Sequence, residues 1–152
     1  LFTFREASRE LVSSLVPNSF LVYLVDPFNA RTPSGFISQI MLSSLARMRF
    51  MAPSLEVLSK ADIVEQKMMN DIERWQQYPE HLQDDIIGES QHRPSMSNEL
   101  SVGLARTIDE MGLVSRLFPV SSANADGIQR IYETVQLSYG GGDDQPTSTD
   151  DE

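Results

Sequence analysis

Two short segments hold the residues whose types and spacing suit selective chemistry: Ser59-Lys60-Ala61-Asp62 and Ser121-Ser122. An ionised aspartate accepts two N–H bonds side by side. Guanine offers two neighbouring donors, N1–H and its exocyclic amino group, whereas adenine presents an acceptor at N1. A carboxylate such as Asp62 in a partly buried site therefore discriminates between the two purines, and losing such a charge-assisted pair costs about 1.5–3 kcal/mol. Lys60 carries an aliphatic stem that can lie along a base face while its ammonium stays in water. Each segment closes an apolar run and precedes a helical pattern, the order that presents side chains beyond the carboxyl end of a strand.

Other chemistry-bearing residues make weaker cases. His81, Asp84, Asp85 and His92 are metal-ligand types, but they lack tight i, i+4 spacing and read as a solvated polar segment. Asp26, followed by Pro27 at a third strand end, reads as a turn or cap residue rather than an acid or base. Ser121 has no nearby sequence support for a Ser-His-Asp triad. Met41, Met48, Met51, Met68 and Met69 fall at helical spacing and read as core filler rather than a partner groove.

The elements that must position these residues follow from periodicity. Residues 3–15 read as a helix opened by a Thr3/Glu6 capping box, with Phe4, Ala7, Leu11 and Leu15 on one face. Residues 20–25 form an apolar run without alternation, as expected of a strand covered on both faces. Thr32-Pro33 reads as an N-cap and first helical residue, opening a helix to about Phe50 with Ile37, Ile40, Met41, Leu45 and Met48 on its buried stripe. Residues 53–58 read as a second strand, and a helix from about Ile63 carries Val64, Met68, Ile72 and Trp75. Pro79, Gly88 and Pro94 mark 79–97 as loop plus short helix, followed by a helix through Leu100, Leu104, Ile108 and Met111. Residues 113–120 read as a third strand, and Asn124 as the cap of a last helix using Ile128, Ile131 and Val135. The order α-β-α-β-α-α-β-α implies a parallel sheet with right-handed crossovers and at least one edge open unless something covers it.

Composition excludes several classes. The 152 residues carry 12 Lys and Arg against 22 Asp and Glu, a formal charge of −10, which suits neither a phosphate-backbone binder nor an anionic membrane surface. Hydrophobic residues at 40% and charged residues at 22% fit a folded domain, and no apolar run is long enough to span a bilayer. The absence of cysteine removes disulfides and thiolate metal sites and suits a cytoplasmic protein. Leu1 opens without an initiator Met or a signal-peptide pattern, so the chain reads as the interior of a longer protein. Residues 1–139 read as one domain and 140–152, Gly-rich then acidic, as a disordered tail.

Residues 59–62 resemble the N-K-x-D guanine motif of GTPases with Ser in place of Asn, and 121–122 resemble the companion S-A motif, whose backbone N–H meets the guanine oxygen. More widely, Leu1 to Tyr139 resembles the part of GPN-loop GTPases that follows their D-x-P-G-Q-I-E segment. The carriers are Leu1-Phe2-Thr3-Phe4, Val22-Tyr23-Leu24-Val25-Asp26, the helix from Phe36 with Met41-Leu42, Ser59-Lys60-Ala61-Asp62-Ile63, Val120-Ser121-Ser122 and Asp126-Gly127-Ile128. The resemblance implies a P-loop NTPase-like α/β fold of the signal-recognition GTPase class. It would be present as a partial domain, with a helical insertion at about 79–112. It implies guanine binding by Ser59, Lys60, Asp62, Ser121 and Ser122, with GTP or GDP as ligand. It also implies a homodimer or paralogue pair, without direct contact to nucleic acid or membrane.

No G-x-x-x-x-G-K-[ST], Gly-Pro-Asn loop or D-x-P-G-Q segment occurs in the 152 residues. Nothing here is built to cradle β- and γ-phosphates, and Mg²⁺ is expected only with an N-terminal part outside this chain. The expectation is the C-terminal, guanine-recognising portion of a GTPase, inactive by itself and without catalytic residues. Two other readings stand beside it: a non-catalytic interaction module from a degenerate or truncated GTPase, and a related P-loop enzyme using another nucleotide.

Overall fold

The computed structural model describes residues 5–15, 19–92, 96–112 and 116–140. Leu1 to Phe4, with the Thr3 half of the capping box, lie outside the described residues, as do residues 113–115 and the acidic tail from 141 onward.

Three parallel strands form the sheet in sequence order: β1 (Leu21–Val25), β2 (Ser54–Leu58) and β3 (Phe118–Pro119). Leu21 pairs with Ser54 and Val25 with Leu58, while Val57 and Leu58 pair with Phe118 and Pro119. All carboxyl ends therefore point the same way, and the segments after them share one rim. Between them run α2 (Pro33–Phe50), then α3 (Gln66–Gln77), α4 (Pro79–His92) and α5 (Met96–Glu110); α1 (Glu6–Leu15) precedes the sheet and α6 (Ile128–Gly140) follows it.

Side-chain alternation splits the apolar residues between two faces. On one, Val25 and Leu58 meet Phe36, Ile37 and Ile40 of α2, Ile72 and Trp75 of α3, Leu82 and Ile86 of α4, and Ala105 and Ile108 of α5. Phe36 packs on Trp75 with ring centroids 5.4 Å apart. On the other, Val57, Phe118 and Val120 are covered by Ile131 of α6. The far end of α6 returns to the start of β1, where the Tyr139 hydroxyl donates to the Ser19 carbonyl and its ring meets Phe20 edge-on.

Several sequence expectations need correction. The segment from Pro79 is a full helix of 14 residues, not loop with a short helix. Its proline sits at the helix start, where the missing N–H costs nothing, and its glycine is tolerated because Leu82 and Ile86 pack into the core. The buried arc of α2 is Phe36, Ile37, Ile40, Ser43, Ser44 and Ala46. Leu45 and Met48 face outward, because α2 also packs against α1, α4 and α5, which turns its buried side away from the expected stripe. Met51 is exposed at the left-handed end of α2, so it and Met48 are not core filler, whereas Met41, Met68 and Met69 pack against the core. On α1 the described part of the expected apolar face is open, with Leu11 and Leu15 exposed, and Ser8 is buried instead. Asn124 does not cap α6, which begins four residues later.

The cap at Thr32 is as the sequence reads: its Oγ1 accepts the Gly35 N–H at 3.1 Å, with Pro33 opening the helix. Gly35 is needed there, since a Cβ would stand 2.1 Å from the Asn29 carbonyl oxygen. No helix among the described residues is long and apolar enough to cross a membrane.

Candidate base-recognition site

β2 ends at Leu58, and the chain turns at Lys60 through a left-handed conformation (φ 53°, ψ 40°) into a 3-10 turn at Ala61–Ile63. Such a backbone is uncommon for a side chain with a Cβ and is held by bonds on both sides. Ser59 N–H and Ser59 Oγ both donate to the Val25 carbonyl of β1, at 3.0 and 2.9 Å. Ala61 N–H donates to the Val120 carbonyl after β3, at 3.0 Å. The single side-chain donor of Ser59 is thereby used to lace β2 to β1.

The two segments singled out in the sequence meet across this turn. The Ser121 hydroxyl donates to Asp62 Oδ1 at 2.5 Å, a short charge-assisted bond between residues 59 positions apart. Ser121 is buried while Asp62 is exposed, so the hydroxyl fixes the carboxylate from below and leaves it facing solvent. Ser121 Oγ also accepts the Ala123 N–H at 3.1 Å. Ser122 is exposed beside them and takes no hydrogen bond among the described residues.

The loop after β3 is braced by Asn124, expected above as a helix cap, and by Asp126 and Gly127, named above only as carriers of the resemblance. Ser121 N–H donates to the Asp126 carbonyl at 3.0 Å. Asn124 accepts the Asp126 N–H through Oδ1 and donates through Nδ2 to Asp126 Oδ2 at 2.6 Å. Gly127 closes the loop at φ 74°, where a Cβ would come within 2.3 Å of the Pro119 carbonyl oxygen. No larger residue fits the point at which α6 crosses the end of β3.

Asp26 is likewise more than a turn residue. Its Oδ1 accepts the Phe28 N–H at 2.8 Å, and its Oδ2 pairs with the Lys60 ammonium at 3.2 Å. The Phe28 N–H foremost, and then Lys60, hold its carboxyl below the ordinary carboxylate range. The sequence signal was positional: in a parallel pair where Val25 faces Leu58, the residues just after each strand come within side-chain reach. A cavity of about 260 Å³ lies beside this pair rather than over Asp62, lined by Phe28, Arg31, Ile63, Met68 and neighbours, with Arg31 stacked over the Phe28 ring.

Among the described residues no three His, Asp or Glu side chains gather as a metal site. Asp85 accepts from Trp75 Nε1 at 2.7 Å and from Arg74, and the His81 ring stacks on Tyr78. His92 lies at a helix end whose side chains are outside the described set.

The arrangement can present the Asp62 carboxylate, the Lys60 aliphatic stem and the exposed Ser122 to a planar ligand at the strand ends, while the Ser121 and Ala123 N–H groups are already used within the loop. Among solved structures, a GTPase from Pyrococcus abyssi in apo form matches with a TM-score of 0.74 at 18% identity, over 91% of this chain and 54% of that one. The two share a fold, and this chain spans about half the length of that structure. Residues 1–140 match the family described as conserved hypothetical ATP binding protein. With nearly the whole chain matched and the α/β frame shared, the chain belongs to that family of nucleotide-binding proteins.

Proposed function

We propose that this chain is the C-terminal, base-recognising part of a cytosolic GTPase. In this reading Asp62 accepts the guanine N1–H and amino group, Lys60 lies along the base, and the Ser122 N–H of the Ser121-Ser122 loop meets the guanine oxygen, with Ser121 holding Asp62. The observation that carries the reading is the 2.5 Å bond from Ser121 to Asp62, which joins the two sequence motifs at the carboxyl ends of adjacent strands. Phosphate binding and Mg²⁺ belong to a part of the protein outside these 152 residues, which contain no phosphate loop. No three His, Asp or Glu side chains among the described residues converge as a metal site. This chain alone then binds GDP weakly and does not hydrolyse GTP. The working assembly is a pair of like or paralogous GTPase subunits.

The family description names ATP, whereas the fold neighbour is a GTPase, so base choice is the point to test. In the full-length protein, Asp62→Asn moves preference from GTP toward XTP, because the amide donates where xanthine offers a second carbonyl. Unchanged selectivity in a competition assay, or a wild-type preference for ATP, removes the guanine assignment. A second reading, an interaction module without catalysis, draws on the edge of β1, an apolar strand paired on one side only among the described residues.

A further inference from the structure

The base-recognition turn is strapped to the neighbouring strand by two side-chain contacts, besides the Ser59 N–H on the Val25 carbonyl. One is the Ser59 hydroxyl on the Val25 carbonyl; the other is the Lys60 ammonium on Asp26. We infer that Asp26 is a positioning residue for base recognition: it anchors the Lys60 ammonium at the end of β1 so that the aliphatic stem lies over the place where the base stacks. This rests on the guanine reading above and adds to it a residue from another strand, outside the two motifs.

The geometry divides the work of the Asp26 carboxylate between its two oxygens. Oδ1 builds the turn after β1 by accepting the Phe28 N–H at 2.8 Å, and the Asp26 carbonyl accepts the Asn29 and Ala30 N–H groups in the same turn. Oδ2 faces Lys60 alone among the described residues. A lysine stem has four rotatable bonds, and an untethered one samples many rotamers before it covers a base. Lys60 is already restricted at the backbone by its left-handed conformation, and Asp26 restricts the far end. With both ends fixed, the stem loses its freedom before the ligand arrives, and that part of the ordering cost no longer falls on binding. The pair is solvent-accessible, so its effect is modest and salt-sensitive.

The division of labour also supplies the clean variant. Asp26→Asn keeps an oxygen for the Phe28 N–H, so the turn survives, but removes the charge that holds Lys60. Lys60→Met keeps an apolar stem and removes the ammonium. In the full-length protein, GDP affinity is measured for wild type, both single variants and the double variant, with Asp62→Asn run alongside. The expected result is a GDP dissociation constant raised about two- to fivefold by Asp26→Asn. The double variant is expected to bind no more weakly than Lys60→Met alone, and raised salt to weaken wild type toward Asp26→Asn. Thermal midpoints separate a folding defect from this coupling, because a purely structural Asp26 weakens Lys60→Met as much as wild type. Two multiplying effects, or an Asp26→Asn protein that binds like wild type, overturn the tether while the GTP-to-XTP shift of Asp62→Asn still stands. If Asp62→Asn leaves selectivity unmoved, the base reading fails first and the tether with it.

Discussion

The two faces of the sheet are built to different thicknesses. On one, four helices bury Val25, Leu58, Phe36, Ile40, Trp75 and Ile86 almost completely. On the other, α6 is the one helix among the described residues that covers Val57, Phe118 and Val120, and Leu24, Tyr132 and Leu137 remain 60%, 56% and 68% exposed. The candidate site lies at the rim where the two meet. Asp62 stands at the mouth of the thick side, and Ser121 belongs to the loop that launches the thin side's only helix among the described residues. The difference teaches where rigidity comes from. The exposed Asp62 carboxylate is held by a buried hydroxyl rather than by packing.

The sharpest way to break this comparison is to cut into each face. Phe36→Ala should lower unfolding free energy by about 3–5 kcal/mol, since the ring is fully buried against Trp75. Ile131→Ala on the half-covered face should cost about 1 kcal/mol. Equal denaturant midpoints for the two would erase the distinction between faces.

Gly127→Ala tests the joint through which the thin face is attached. A Cβ there meets both an unfavourable φ and the Pro119 carbonyl, and a loss of about 2 kcal/mol is expected in chemical denaturation. Ser121→Ala removes the hydroxyl without changing the core. On the proposed guanine reading, the GDP dissociation constant of the full-length protein should rise about tenfold, because the Asp62 carboxylate loses its fixed partner. A variant that binds as wild type would move the anchoring of Asp62 to the loop backbone.

Two smaller effects belong to the thick side. Met51 is 87% exposed at φ 51°, so Met51→Gly relieves backbone strain without losing packing and should raise stability by about 0.5–1 kcal/mol in a melting experiment. Asp26 has a depressed pKa in the folded state. Its ionised form therefore stabilises the fold above the unfolded carboxylate value of about 3.9, and that contribution is lost as pH falls through the depressed value. The stability gap between wild type and Asp26→Asn should be flat near neutrality and close below about pH 4. A gap that instead opens on acidification would mean that Asp26 is strained rather than satisfied.

Much of the frame was legible because its causes are local. Short segments ending at Asp26, Ser59 and Ser121, the first a continuous apolar run and each followed by a helical pattern, suffice to place three parallel strands and the rim they share, although β3 is only Phe118–Pro119 of the expected 113–120. Thr32-Pro33 reads as a cap because the cap is made three residues away. The helix from Pro79 was hidden because its proline and glycine are breakers only when packing does not override them, and Leu82 and Ile86 override them. The arc of α2 was misplaced because three neighbouring helices, not the helix itself, decide which side is inside.

The sequence by itself determined the chemistry on offer: a carboxylate, a lysine stem and small loop residues at strand ends, with no phosphate loop among its 152 residues. Only the tertiary structure decided which of those groups meet. Parallel register brings Asp26 to Lys60 and Ser121 to Asp62, across 34 and 59 residues of chain. Hydrogen bonds of that reach depend on strand order and on the pleat, and neither is written in the spacing of the residues that make them.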